Sequence, residues 1–116
     1  MSKTLYLSLK KEWYNMIESG VKTEEYREFN PYWIRRLTTI PFKAELLCSL
    51  TKDELIDVVK YNAFLKRFEK VRFSYGYTRR TMTFECKGLE WKTGKPEWGA
   101  EPGEICFVIT LGKRLK

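Results

Sequence analysis

At 116 residues the chain has room for one modest hydrophobic core and not for two. A hydrophobic share of 43% and an aromatic share of 16% exclude disorder over most of the length, and no apolar run approaches the ~20 residues of a membrane helix. The net charge of +7 suits a polyanionic partner, while the lack of histidine excludes Ser-His and Cys-His nucleophile pairs and histidine-containing zinc sites.

Met1-Ser2-Lys3-Thr4 leads into a strand pattern without a signal peptide. The three cysteines, Cys48, Cys86 and Cys106, show no C-x-x-C spacing, so a reduced, cytoplasmic protein with free thiols is expected. Cys86 and Cys106 fall in apolar strand patterns and read as small buried hydrophobes. Leu5-Tyr6-Leu7-Ser8-Leu9 alternates, which predicts a first, central strand with the leucines facing the core. Lys10 to Ser19 places Trp13, Met16 and Ile17 at helical spacing, and Gly20 ends that helix in the left-handed region. From Glu24 to Phe29 the period changes to two: Glu25, Arg27 and Phe29 share one strand face, and Glu24, Tyr26 and Glu28 the other.

Asn30-Pro31 breaks that strand and opens a short helix to Leu37, with Arg35 and Arg36 pointing away from its apolar face. Phe42 to Cys48 reads equally as a short strand or a helical turn. Thr51-Lys52-Asp53-Glu54 is a capping box that opens a helix running to about Glu69. Lys70 to Tyr75 alternates again, Gly76 to Arg80 forms a basic, aromatic turn, and Thr81 to Trp91 is a long strand. Lys92 to Gly103, with three Gly and two Pro, reads as a loop. Glu104 to Leu111 is apolar on both sides and therefore a buried strand, followed by a loose basic tail. About five mostly antiparallel strands with two or three flanking helices define an α+β fold in a single domain.

The chemistry gathers at Lys22-x-x-Glu25-x-Arg27, where an amine, a carboxylate and a guanidinium stand at one end of one strand. Such charges also occur on solvated edge strands, where Lys discourages sheet-to-sheet pairing. Aromatics interleave with cations at Tyr32-Trp33-Ile34-Arg35-Arg36 and again through Tyr75, Tyr77, Arg79 and Arg80, a mixture suited to stacking bases and contacting phosphates. Trp98, in Glu97-Trp98-Gly99-Ala100-Glu101-Pro102-Gly103, has glycine neighbours that let a ligand approach closely. No metal or organic cofactor is implied.

Helix, Ser19-Gly20-Val21-Lys22-Thr23, then Glu25-x-Arg27 resembles the signature of the ASCH family, the activating-signal cointegrator homology domains of the PUA-like group. The likeness is widest from Leu5 to Trp33 and resumes in Thr81-Met82-Thr83-Phe84-Glu85 and in Glu97 to Gly103. It implies a PUA-like pseudo-barrel, with Lys22, Glu25 and Arg27 lining a cleft for RNA or a nucleotide-like small molecule. A few members of that family are hydrolases, acting on acylated cytidine or on RNA, which makes Lys22 and Glu25 catalytic candidates and Glu85, Glu97 or Glu101 candidates for a third residue. In the amidohydrolase branch a Thr stands where this chain has Glu25. Residues 39–68 match no motif of the family and read as an insertion, whose helix offers a third possibility, a protein-interaction module.

Overall fold

The structure is a computed structural model that describes residues 3–116. Strand β1 (Thr4–Leu9) is followed by helix α1 (Lys11–Glu18), β2 (Glu24–Glu28), α2 (Pro31–Leu37), α3 (Ala44–Cys48) and α4 (Lys52–Asn62). Then come β3 (Lys70–Tyr75), β4 (Thr81–Thr93), a 3-10 turn (Pro96–Trp98) and β5 (Ile105–Arg114). The strands form one curled, half-barrel sheet in the order β1-β3-β4-β5-β2. β1 runs parallel to β3, and the other three pairings are antiparallel. The fold is α+β, with the helices flanking this sheet.

Alternation accounts for the core. Leu5, Leu7 and Leu9 of β1 face inward with Val71 and Phe73 of β3, while Tyr6 and Ser8 stay exposed. α1 buries Tyr14 and Ile17 against the same core. α2 starts where Asn30 accepts the Trp33 amide at its side-chain oxygen, with Pro31 at the first helical position. It buries Ile34 and Leu37. The capping box of α4 forms as the sequence predicts: Thr51 Oγ1 accepts the Glu54 amide, and the Glu54 carboxylate accepts the Thr51 amide. Hydrogen bonding of its carboxylate to Thr51, chiefly to that amide, holds Glu54 below its usual pKa.

Several expectations give way to tertiary contacts. β1 is an edge strand and not a central one, paired only with β3. α4 stops at Asn62, short of Glu69, because Ala63 turns extended and the chain pairs with the segment after α2. There the Thr39 amide donates to the Phe64 carbonyl at 2.8 Å, the Lys66 amide to the Leu37 carbonyl at 2.9 Å, and Thr38 bridges Leu65. The ambiguous stretch ending at Cys48 is helical, which brings the number of α-helices to four where two or three were expected. Residues 39–68 contribute Leu47, Leu55 and Val59 to the main core, as an insertion can. The basic tail is held in place, with Arg114 opposite Phe84 and the Leu115 amide donating to Thr83. Cys86 and Cys106 are half-buried, and burial raises both thiol pKa values. All three cysteines are free.

One buried hydroxyl has no partner. Tyr14 is fully buried, its ring packs edge-on to Tyr75 at 5.0 Å, and its oxygen makes no hydrogen bond among the described residues. A buried polar group left unpaired carries a desolvation cost that an apolar replacement of the same shape removes. Tyr14→Phe is therefore expected to keep or raise stability, by up to about 1 kcal/mol, in urea denaturation. A loss of more than that would reveal a partner for the hydroxyl.

Candidate functional site

The site is built at the exit of α1. The Gly20 amide donates to Ile17 and the Lys22 amide to Met16, and Gly20 takes a φ of 87°, so the chain reverses over the helix end. This reversal delivers Lys22 beneath α1 and starts β2. Pairing of β2 with β5 sets Glu25 opposite Ile109 and Arg27 opposite Phe107. Ile109 and Phe107 are fully buried core residues, so Glu25 and Arg27 hold inward positions of the sheet where an apolar residue would ordinarily stand.

Lys22 and Glu25 are only 2% and 3% exposed. Charges so deeply buried require partners, because desolvation costs several kcal/mol per ion. They have them. Lys22 Nζ donates to Glu25 Oε1 at 2.7 Å and to the Trp98 carbonyl at 2.8 Å, and lies 4.5 Å from the centre of the Trp13 ring. The other Glu25 oxygen accepts from the Arg27 guanidinium. Arg27 also donates to the Tyr26 carbonyl at 2.8 Å and to the Ser8 carbonyl at 3.0 Å, and stacks 5.2 Å from Trp33. Of its five donors, two have no protein acceptor among the described residues.

The opposite wall comes from the turn after β4. Tyr26, on the outer face of β2, packs with Ala100 and Val108, and its hydroxyl accepts the Lys95 amide at 3.0 Å while donating to Glu24 at 2.8 Å. Burial, opposed in part by that amide, drives the Tyr26 phenol well above its usual pKa. Two close approaches fix this turn. A Cβ on Gly94 would lie 2.7 Å from the Tyr26 ring, and Gly99, at a φ of 104°, sits where a Cβ would be 3.1 Å from the Trp13 indole. Glycine is required at both.

The result is a cleft of about 260 Å³, bounded by Ser8 and Lys10, the indoles of Trp13 and Trp98, and Lys22, Glu25 and Arg27. Buried Lys22 and half-buried Arg27 against one carboxylate leave it electropositive, with aromatic faces beside the charges. The residues of the Lys-x-x-Glu-x-Arg pattern and Trp98 are thus brought together in one concavity.

No family model, no curated protein and no solved structure matches the chain.

Other residues singled out from the sequence lie elsewhere. Arg80 donates to Glu18 at 2.8 Å and stacks on Tyr75 at 4.9 Å, closing the β3–β4 turn onto α1. Tyr77 and Arg79 stand exposed on that turn, whose Gly76 amide donates to the Leu9 carbonyl of the cleft wall at 2.8 Å. Glu85, Glu97 and Glu101 are all exposed, and none of the three lines the cleft. Trp13 is the member that sequence reasoning placed only at helical spacing with Met16 and Ile17. Its position in a helix beside Gly20 gave no sign that the indole covers Lys22. Among the described residues no group of three Cys, Asp or Glu side chains is arranged as metal ligands would be.

The trio predicts a specific energetic pattern. Glu25→Ala leaves Lys22 buried without its carboxylate and is expected to cost about 3–5 kcal/mol in denaturant unfolding. Adding Lys22→Met should recover part of that loss, because the uncompensated charge goes with it. A cost below about 1 kcal/mol for Glu25→Ala would mean that the pair is solvated after all.

Proposed function

We propose that the chain is an ASCH-type domain that binds RNA or a nucleotide-like small molecule, with one base or nucleoside held in the cleft. The observation that carries this reading is the pairing of two indoles, Trp13 and Trp98, with an electropositive Lys22–Glu25–Arg27 cluster in one small concavity. Aromatic faces accept any base by stacking, and the unused Arg27 donors suit a carbonyl or phosphate oxygen. At about 260 Å³ the cleft is close to the lower limit of small-ligand pockets, which fits a single base or nucleoside better than a larger group.

The same geometry favours binding over hydrolysis. Both oxygens of Glu25 are taken up by cations, and Lys22 is held by Glu25 and the Trp98 carbonyl. A general base or nucleophile needs a free lone pair within reach of its substrate, and this arrangement offers neither residue one readily. The exposed Tyr61 and Phe64 at the end of α4 are the apolar surface on which an interaction module would rest.

The test is a titration of nucleosides, mononucleotides and short oligoribonucleotides, followed by tryptophan fluorescence. Trp98→Ala and Trp13→Ala are each expected to weaken binding by about 1–3 kcal/mol, the range of a lost base–aromatic stack. Turnover of an acylated nucleoside by the wild type, abolished in Lys22→Met, would overturn the binding reading in favour of hydrolysis. Failure to bind any nucleoside, nucleotide or RNA would remove it altogether.

A further inference from the structure

A second concavity is larger than the cleft. It lies at the other end of β1, between the extended segment 65–69 and the middle of β4, and measures about 1080 Å³. Two features of the backbone open it. Segment 65–69 leaves helical geometry to pair with the end of α2, and the Glu69 amide is held by the Lys3 carbonyl at 2.9 Å. Opposite, the register of β4 against β5 shifts between Phe84 and Cys86 and again between Cys86 and Gly88. Such bulges bend a strand away from its neighbours.

Five cations line this groove: Lys3, Lys66, Arg67, Lys70 and Lys87. None of them forms an ion pair among the described residues. Two carboxylates, Glu69 and Glu85, also line it, so five positive charges against two negative leave an excess of three. Glu85 is in part occupied, accepting the Lys113 amide at 3.2 Å. The floor is apolar, formed by half-buried Leu65, Phe68 and Leu89. Unpaired like charges around one groove repel each other, and a bound polyanion relieves that repulsion.

We propose that this groove is a second nucleic-acid site, one that takes the sugar–phosphate backbone of a single strand. The cations meet phosphates, and Phe68 with the apolar floor meets sugar and base faces. A duplex is read through its grooves by protruding helices, ribbons or loops, whereas a concave trough suits a flexible strand laid into it. The surface between the two sites is also suited to a strand. Lys3, Lys66 and Phe68 border a smaller hollow with Tyr6 and Arg36. Tyr6, 58% exposed and 5.9 Å from the Arg72 guanidinium, then leads to a hollow shared with Ser8, which itself lines the cleft. At ~3.3 Å per residue the six residues of β1 span about 20 Å, within reach of a short oligonucleotide. The groove needs no ligand in the cleft, so this proposal stands apart from the preceding one.

The experiment measures affinity for labelled single-stranded oligoribonucleotides and oligodeoxyribonucleotides at several salt concentrations, for the wild type and for the triple variant Lys66→Gln, Arg67→Gln, Lys87→Gln. Each lost phosphate contact should flatten the log–log salt slope by about 0.7, so the triple variant should flatten it by about 2 and weaken binding on the order of tenfold or more at low salt. Binding of either strand with that change supports the groove, and a preference between them identifies its natural strand. Should the triple variant fail to fold, Lys87→Gln alone should flatten the slope by about 0.7. An unchanged slope, or equally tight and equally salt-dependent binding of polyglutamate, would overturn the proposal. So would an absence of oligonucleotide binding by the wild type, even if mononucleotides bind the cleft. Conversely, an absence of mononucleotide binding by the wild type, with the salt slope still flattened in the triple variant, would count against the cleft and support the groove.

Discussion

The structure depends on one carboxylate. Glu25 accepts from Lys22 with one oxygen and from Arg27 with the other, and each cation then makes a long-range contact that the backbone does not supply. β1 and β2 are the two edges of a sheet that curls without closing. Arg27 spans that opening by donating from β2 to the Ser8 carbonyl of β1. Arg36 makes a parallel link from α2 to the Tyr6 carbonyl at 2.8 Å, and Trp33 lies 5.2 Å from both guanidinium groups. Edge strands expose unpaired backbone groups that invite pairing with other chains. Here two arginines occupy the Tyr6 and Ser8 carbonyls of β1, so the seam is closed by side chains and not by a sixth strand.

The same carboxylate sets the cleft. Lys22, held by Glu25, reaches the Trp98 carbonyl seventy-six residues away in sequence and so fixes the turn that carries the second indole. Tyr26, the next residue of β2 and facing the other way, binds the Lys95 amide in that same turn. Lys22, just before the strand, and Tyr26, on it, therefore hold one loop at two points. Buried ion pairs are weak evidence for stability, since apolar residues of similar volume often serve as well. A polar cluster at inward positions, in a molecule with ample apolar residues to fill them, is better understood through its geometry: it closes the seam and presents charge at the end of the barrel.

Much of this was legible in the sequence, for identifiable reasons. Period-two alternation gave β1, β3 and β4 their faces, the Thr51 capping box gave the start of α4, and Gly20 gave the end of α1. The Glu25-x-Arg27 spacing placed both side chains on one face with Phe29, and the register with β5 makes that face the inner one. What escaped was decided by partners distant in sequence. Nothing local to Ala63 ends α4; the backbone of residues 37–39 does. Nothing local to β1 makes it an edge, because its Tyr6 and Ser8 carbonyls are satisfied by arginines on β2 and α2. Trp13 read only as one member of a helical face, because helical spacing cannot tell an indole that packs in a core from one that covers a buried ammonium. The groove at 65–70 was hidden in what had the pattern of a continuing helix.

The most direct test of a nucleobase cleft at this seam uses the four tryptophans as internal reporters. Trp13 and Trp98 line the cleft, Trp33 lies between the seam arginines, and Trp91 packs on Phe29 at 5.6 Å. Four indole N–H resonances, assigned by single substitution, can be followed by NMR as a mononucleotide is added. A ligand in the cleft should move the Trp13 and Trp98 signals most, Trp33 less through Arg27, and leave Trp91 in place. Saturable shifts confined to Trp33 or Trp91, or no shift of any of the four up to millimolar ligand, would contradict it.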